Sequence, residues 1–104
     1  MSSRHFRIAL AQMRVLGGEL TANLARAEEF IAQAAEREAK LVVLPEALDV
    51  GWTDPAAATA ATPIPDGATC EHLREAARRH RILVCAGLTE RAGPAIFNAA
   101  VLLG

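Results

Sequence analysis

The side chain with the clearest chemical opportunity is Glu46, which follows the apolar run Leu41–Leu44 and Pro45 in the segment LVVLPE. A carboxylate just past the carboxyl end of a parallel strand stands where open α/β sheets form their ligand crevices, and the proline before it stiffens its approach. That position suits a general base, the competing reading being a solvated loop acid or a helix cap. Other reactive types are sparse. Lys40, the sole lysine, precedes the same strand, so an extended chain at ~3.3 Å per residue carries it roughly 20 Å from Glu46. It is no oxyanion partner for that carboxylate. Cys85 lies within an apolar run and reads as a small core hydrophobe, whereas Cys70 stands near a helix amino terminus, a place that can favour the thiolate. His5, His72 and His80 are scattered and no CxxC pair occurs, so no metal site is expected. Gly17-Gly18 could turn backbone amides toward an anion, but it fits neither GxGxxG nor GxxxxGK[ST], and a plain loop is the better reading.

The elements that would position Glu46 follow from periodicity. RIALAQM, Arg7 to Met13, reads as a buried strand stopped near the glycine pair. From Leu20 to about Lys40, Leu20, Leu24, Ala27, Ile31 and Ala34/Ala35 recur at steps of three and four, the pattern of a helix with one buried stripe and roughly five turns. Leu41–Leu44 has the character of a strand covered on both faces. DPAAATAATPIPDG, from Asp54 to Gly67, predicts a long loop with one helical turn. Thr69 is a candidate cap for a second helix with Cys70, Leu73, Ala77 and His80 inward and Arg78, Arg79 and Arg81 at its negative end. Ile82–Leu88 and Ile96–Leu103, separated by a Gly93-Pro94 turn, predict an antiparallel hairpin. Strand, helix, strand, loop, helix, strand, strand is an α/β arrangement with a mixed sheet.

Composition narrows the classes further. A chain of 104 residues, 52% hydrophobic and 22% charged, is one folded domain or part of one. Eleven basic against twelve acidic side chains give no general pull toward nucleic acid or anionic membrane. MSSRHFRIALAQM has its apolar run cut short by Gln12 and Arg14, too short for a signal peptide or a membrane span, so a cytoplasmic address is expected, with free thiols.

In order along the chain, RIALAQM, Asn23 within TANLARAEEFIAQAA, LVVLPEALDVGW, ILVCAGLTER and IFNAAVLLG with Asn98 resemble the amino-terminal portion of the nitrilase, or carbon–nitrogen hydrolase, superfamily. The resemblance implies an αββα sandwich of which residues 1–104 supply one mixed sheet layer covered by helices. It implies a Glu-Lys-Cys triad acting on a small amide, nitrile or carbamoyl substrate through a thioester acyl-enzyme, with no cofactor. Glu46 maps onto the triad glutamate, while the lysine and cysteine would lie beyond Gly104. Trp52, where the family more often has tyrosine, would wall the substrate crevice; a core-packing tryptophan is its other reading. The family's habit of assembly implies a homo-oligomer. The 104-residue chain alone is expected to be inactive and to self-associate through surface that the complete sandwich buries. A non-catalytic interaction domain on the same fold and a small nucleotide- or phosphate-binding α/β module are the alternatives.

Overall fold

A computed structural model describes residues 4–104, so the first three residues of MSSRHFRIALAQM lie outside the described residues. The elements run β1 (Arg7–Leu10), α1 (Leu20–Glu36), β2 (Ala39–Val43), α2 (Ala57–Ala60), α3 (Ala68–His80), β3 (Leu83–Ala92) and β4 (Ala95–Leu103). They form one four-stranded sheet in the order β1-β2-β3-β4, parallel through β3 and antiparallel between β3 and β4. The expected α/β class with a mixed sheet is what forms. The two parallel connections carry α1 and α3, as right-twisted crossovers require.

Both helices pack on one face of the sheet. The row Ala9, Val42 and Val84 points toward them, with Leu103 closing the row on β4, and this row meets Ala27, Ile31, Ala34, Cys70, Leu73, Ala76 and Ala77 in a single core. Burying each large aliphatic side chain completely, as at Ile31 and Leu73, contributes about 1.5–3 kcal/mol. Across the helix pair, Glu28 accepts from Arg79 at 2.7 Å and lies 3.2 Å from His72 Nε2. These pairs are solvent-exposed and add little beyond the apolar contact.

The opposite face is bare. Leu10, Val43, Cys85 and Leu102 are register partners in one row across all four strands, and Ile8, Leu41 and Leu83 form the row beside it. Leu10 is 73% exposed and Leu102 66%. Two sequence expectations change here: β1 is an exposed edge strand, and β2 is covered on one face only. Alternation within each strand decides this, because among the described residues no element lies on the second face.

Several boundaries also move. Helix α1 stops at Glu36, because Glu38 adopts a left-handed φ of 62° and β2 already begins at Ala39. The cap of α3 is Gly67, not Thr69, which is buried inside the first turn; a β-carbon on Gly67 would stand 2.3 Å from the Pro63 carbonyl oxygen. Ala76 takes the inward place expected of His80, which is half-buried at the helix end. Glu71 in the first turn and Arg78, Arg79 and His80 in the last complement the α3 dipole. Among the described residues no helix is long and apolar enough to cross a membrane.

A bare apolar face of this width favours association of the 104-residue chain with itself. In sedimentation velocity the chain is expected to form multimers, and Leu10→Lys with Leu102→Lys is expected to shift the distribution toward monomer at unchanged helix content. An unaltered distribution would locate the contact elsewhere.

Candidate active site

Strand β2 pairs with β3 only as far as Val43 opposite Cys85, while β3 runs on to Ala92. The segment that follows β2 therefore has to satisfy the free edge of β3. Leu44 N–H donates to the Cys85 carbonyl at 2.8 Å, Gly87 N–H donates to the Pro45 carbonyl at 3.2 Å, and Leu48 N–H donates to the Gly87 carbonyl at 3.0 Å. Glu46 is the residue at the crest of this turn. Ala47 takes a left-handed φ of 47°, a conformation costing an L-residue roughly 1–2 kcal/mol. The turn closes with Gly51 N–H on the Ala47 carbonyl at 3.0 Å.

Gly87 makes this close approach possible. A β-carbon there would stand 2.5 Å from Glu46 Cα and 3.0 Å from both Ala47 N and the Pro45 carbonyl oxygen. Glu46 consequently projects over the bare face of the sheet, exposed, where Asn98 Nδ2 of β4 donates to its Oε1. Leu44, Glu46, Cys85, Ala86, Gly87 and Asn98, with Ala99 and Ala100, line a groove of about 310 Å³. It holds an ionisable oxygen pair, a fixed amide donor and an apolar floor, an arrangement able to accept a proton from a group lying in the groove.

Behind the turn lies a second polar group. Asp49, 2% exposed, accepts from Val50 N–H through Oδ1 and from both the N–H and the hydroxyl of Thr89 through Oδ2. Asn23 of α1, fully buried, donates to the carbonyls of Asp49 at 2.7 Å and Leu16 at 2.8 Å and accepts from Leu16 N–H at 2.9 Å. Its resemblance to the family's helix asparagine had marked Asn23; Asp49, Thr89 and Gly87 carried no local signal.

Of the remaining candidates only Cys85 shares the groove with Glu46. Lys40 sits at the far end of β2. Cys70 is buried in α3, and burial pushes its thiol up despite the nearby Arg74, so the helix terminus does not favour its thiolate. Cys85 is half-buried on the bare face, where it lines the groove with Glu46 instead of packing within the core. Trp52 is 50% exposed and is not among the residues lining the groove. At Gly17-Gly18, the Gly18 N–H is engaged by the Val50 carbonyl at 2.8 Å and the Asp54 carboxylate lies against the pair, which disfavours an anion there. Among the described residues no cluster of His, Cys, Asp and Glu could hold a metal ion.

The fit at Gly87 makes a signed prediction. Strand propensity alone would have Gly87→Ala gain about 0.5–1 kcal/mol, whereas overpacking against the turn costs about 1–3 kcal/mol, so a net loss of stability is expected. A lowered denaturant midpoint in chemical unfolding checks it, and an unchanged or raised midpoint would mean that the turn yields freely.

Residues 7–104 match the model of the family described as carbon-nitrogen hydrolase. A nitrilase of Pyrococcus abyssi is 35% identical over 101 residues, spanning 94% of this chain and 38% of that protein. An amidase from Nesterenkonia sp. superposes with a TM-score of 0.80 at 25% identity, covering 98% of this chain and 39% of the amidase. Nit3 of Saccharomyces cerevisiae, a member of the nitrilase superfamily, gives a TM-score of 0.83 at 23% identity over 95% of this chain and 40% of its own, a likeness of fold. The chain thus spans well under half the length of these relatives, and across that span, with its mixed sheet and a glutamate at the exit of β2, it belongs to the carbon–nitrogen hydrolase family.

Proposed function

We propose that residues 1–104 are the amino-terminal portion of a single hydrolase domain that cleaves non-peptide carbon–nitrogen bonds in a small amide, nitrile or carbamoyl compound, with Glu46 as its general base. The observation that carries this reading is the Glu46 carboxylate standing in a groove at the end of a parallel strand, with one oxygen held by Asn98. A relative supports the class of nucleophile: in the Nesterenkonia amidase, acrylamide adds to an active-site cysteine when a glutamate has been replaced by glutamine.

In the proposed reaction a cysteine thiol lends its proton to Glu46 and its sulfur attacks the carbonyl or nitrile carbon. For an amide, the tetrahedral intermediate collapses with cleavage of the carbon–nitrogen bond, and Glu46 returns the proton to the departing amine. Water, deprotonated by the same carboxylate, then hydrolyses the thioester and restores the thiol. A lysine stabilises the oxyanion at each tetrahedral stage. Lys40 and Cys70 are poorly placed for these duties, and the family resemblance puts the lysine and the nucleophile later in the chain than Cys85, so both are assigned to chain past Gly104. That chain would also bring a second sheet onto the bare face, screening Glu46 from water. Trp52, half-exposed six residues after Glu46, would wall the substrate crevice there, and the assembled enzyme would be a homo-oligomer.

The test is the protein continued past Gly104 in its own reading frame and assayed for ammonia or amine release from simple amides. Glu46→Gln is expected to lower turnover about 10²–10⁴-fold with the fold intact, and wild-type turnover in that variant would overturn the assignment. The 104-residue chain alone is expected to release nothing. Amide turnover by it, abolished by Glu46→Gln, would show that the machinery is already complete.

A further inference from the structure

Asp49 is a carboxylate in a place where an apolar side chain would be less costly, since it is 2% exposed and no lysine or arginine bonds to it among the described residues. Every acceptor on it is nevertheless used. Oδ2 takes both donors of Thr89, Oδ1 takes Val50 N–H, and the main-chain carbonyl takes Asn23. Together with the N–H groups of Leu44 and Leu48 and the accepting carbonyl of Pro45, it completes the edge of β3 that β2 leaves open: Cys85, Gly87 and Thr89 each find a partner in the turn.

Four side chains, those of Asp49, Thr89, Asn98 and Glu46, close a loop. Thr89 and Asn98 are direct cross-strand partners of β3 and β4. Thr89 is bonded to Asp49 and Asn98 to Glu46, while Asp49 and Glu46 lie three residues apart on one turn. The turn is thereby pinned to the hairpin at two points, one buried and one facing the groove. With only the groove contact, a left-handed alanine and an exposed carboxylate would have several accessible arrangements; the buried contact removes them.

Resting on the reading of Glu46 as the base, we infer that Asp49 and Thr89 are positioning residues, a buried carboxylate–threonine clamp that sets the direction of the Glu46 carboxylate without touching substrate. A clamp of this kind acts on the chemical step and leaves ground-state binding nearly untouched.

The experiment uses the protein continued past Gly104, with steady-state kinetics on a simple amide and a thermal melt of each variant. Thr89→Val removes the hydroxyl donor at equal bulk, and Asp49→Asn removes an acceptor while keeping shape. Each is expected to lower kcat about tenfold with KM within about twofold, and Thr89→Ser is expected to restore kcat, whatever the melting temperatures do. Folded Thr89→Val and Asp49→Asn variants with wild-type kcat would overturn the clamp, as would failure of Thr89→Ser to restore it. Should Thr89→Val not fold, Asp49→Asn and Thr89→Ser still decide the matter. Glu46→Gln separates the two levels: an inactive Glu46→Gln beside a neutral Asp49→Asn sinks the clamp alone, whereas an active Glu46→Gln sinks both.

Discussion

The early end of β2 sets the terms for everything around Glu46. Past Val43 the backbone groups along one edge of β3 have no strand beside them, and leaving such groups buried and unpaired costs far more than the modest gain from making each bond. The turn at 44–49 answers that demand by lying directly on β3, which the missing side chain of Gly87 permits. Glu46 reaches its groove as a consequence. A carboxylate is thus aimed by main-chain bonding, with side chains adjusting its final direction.

The sheet divides the labour between its two faces. One face, built from Ala9, Val42, Val84 and Leu103 against two alanine-rich helices, supplies the cohesion. The other carries the groove and the apolar rows beside it, and contributes little to holding this part of the chain together. Small side chains on α1 and α3, notably Ala27, Ala34, Ala76 and Ala77, let the helices sit low on the sheet, so a stable layer forms with few aromatic residues.

Much of this was legible in the sequence because it depends on short-range pattern. Apolar runs gave the strands, steps of three and four gave α1 and α3, the prolines gave the long loop, and the LVVLPE segment singled out Glu46. What stayed hidden depends on partners distant in the chain. Asp49 and Thr89 are forty residues apart, and Glu46 and Asn98 fifty-two, so no local spacing announces either pair. Asn98 had been marked by resemblance, not by anything in IFNAAV that pointed to a carboxylate. Strand exposure was misread for a related reason: Ile8, Leu10 and Leu41 have the composition of buried strand residues, and composition does not tell which face another layer covers. At the start of α3 the sequence pointed to Thr69 as the cap, whereas the helix begins just after Gly67, whose closeness to the Pro63 carbonyl leaves no room for a side chain.

The turn over Gly87 also divides the chain into parts that tolerate changes of length and parts that do not. Partners alternate along β3 at Cys85, Gly87 and Thr89, so inserting or deleting one residue between Leu44 and Asp49 would put each donor opposite the wrong group and turn Glu46 toward the helices. One residue added between Glu19 and Asn23 would rotate the Asn23 amide by about 100° away from both loops it holds. Within the stretch from Asp54 to Pro65, Thr62 is tied to β3, its carbonyl accepting from Arg91 N–H at 3.0 Å, but Pro55, Ala58 and Thr59 are exposed, and length added around them costs little. Variation in length within this fold should therefore accumulate in that loop and be nearly absent from the six residues that carry the carboxylate.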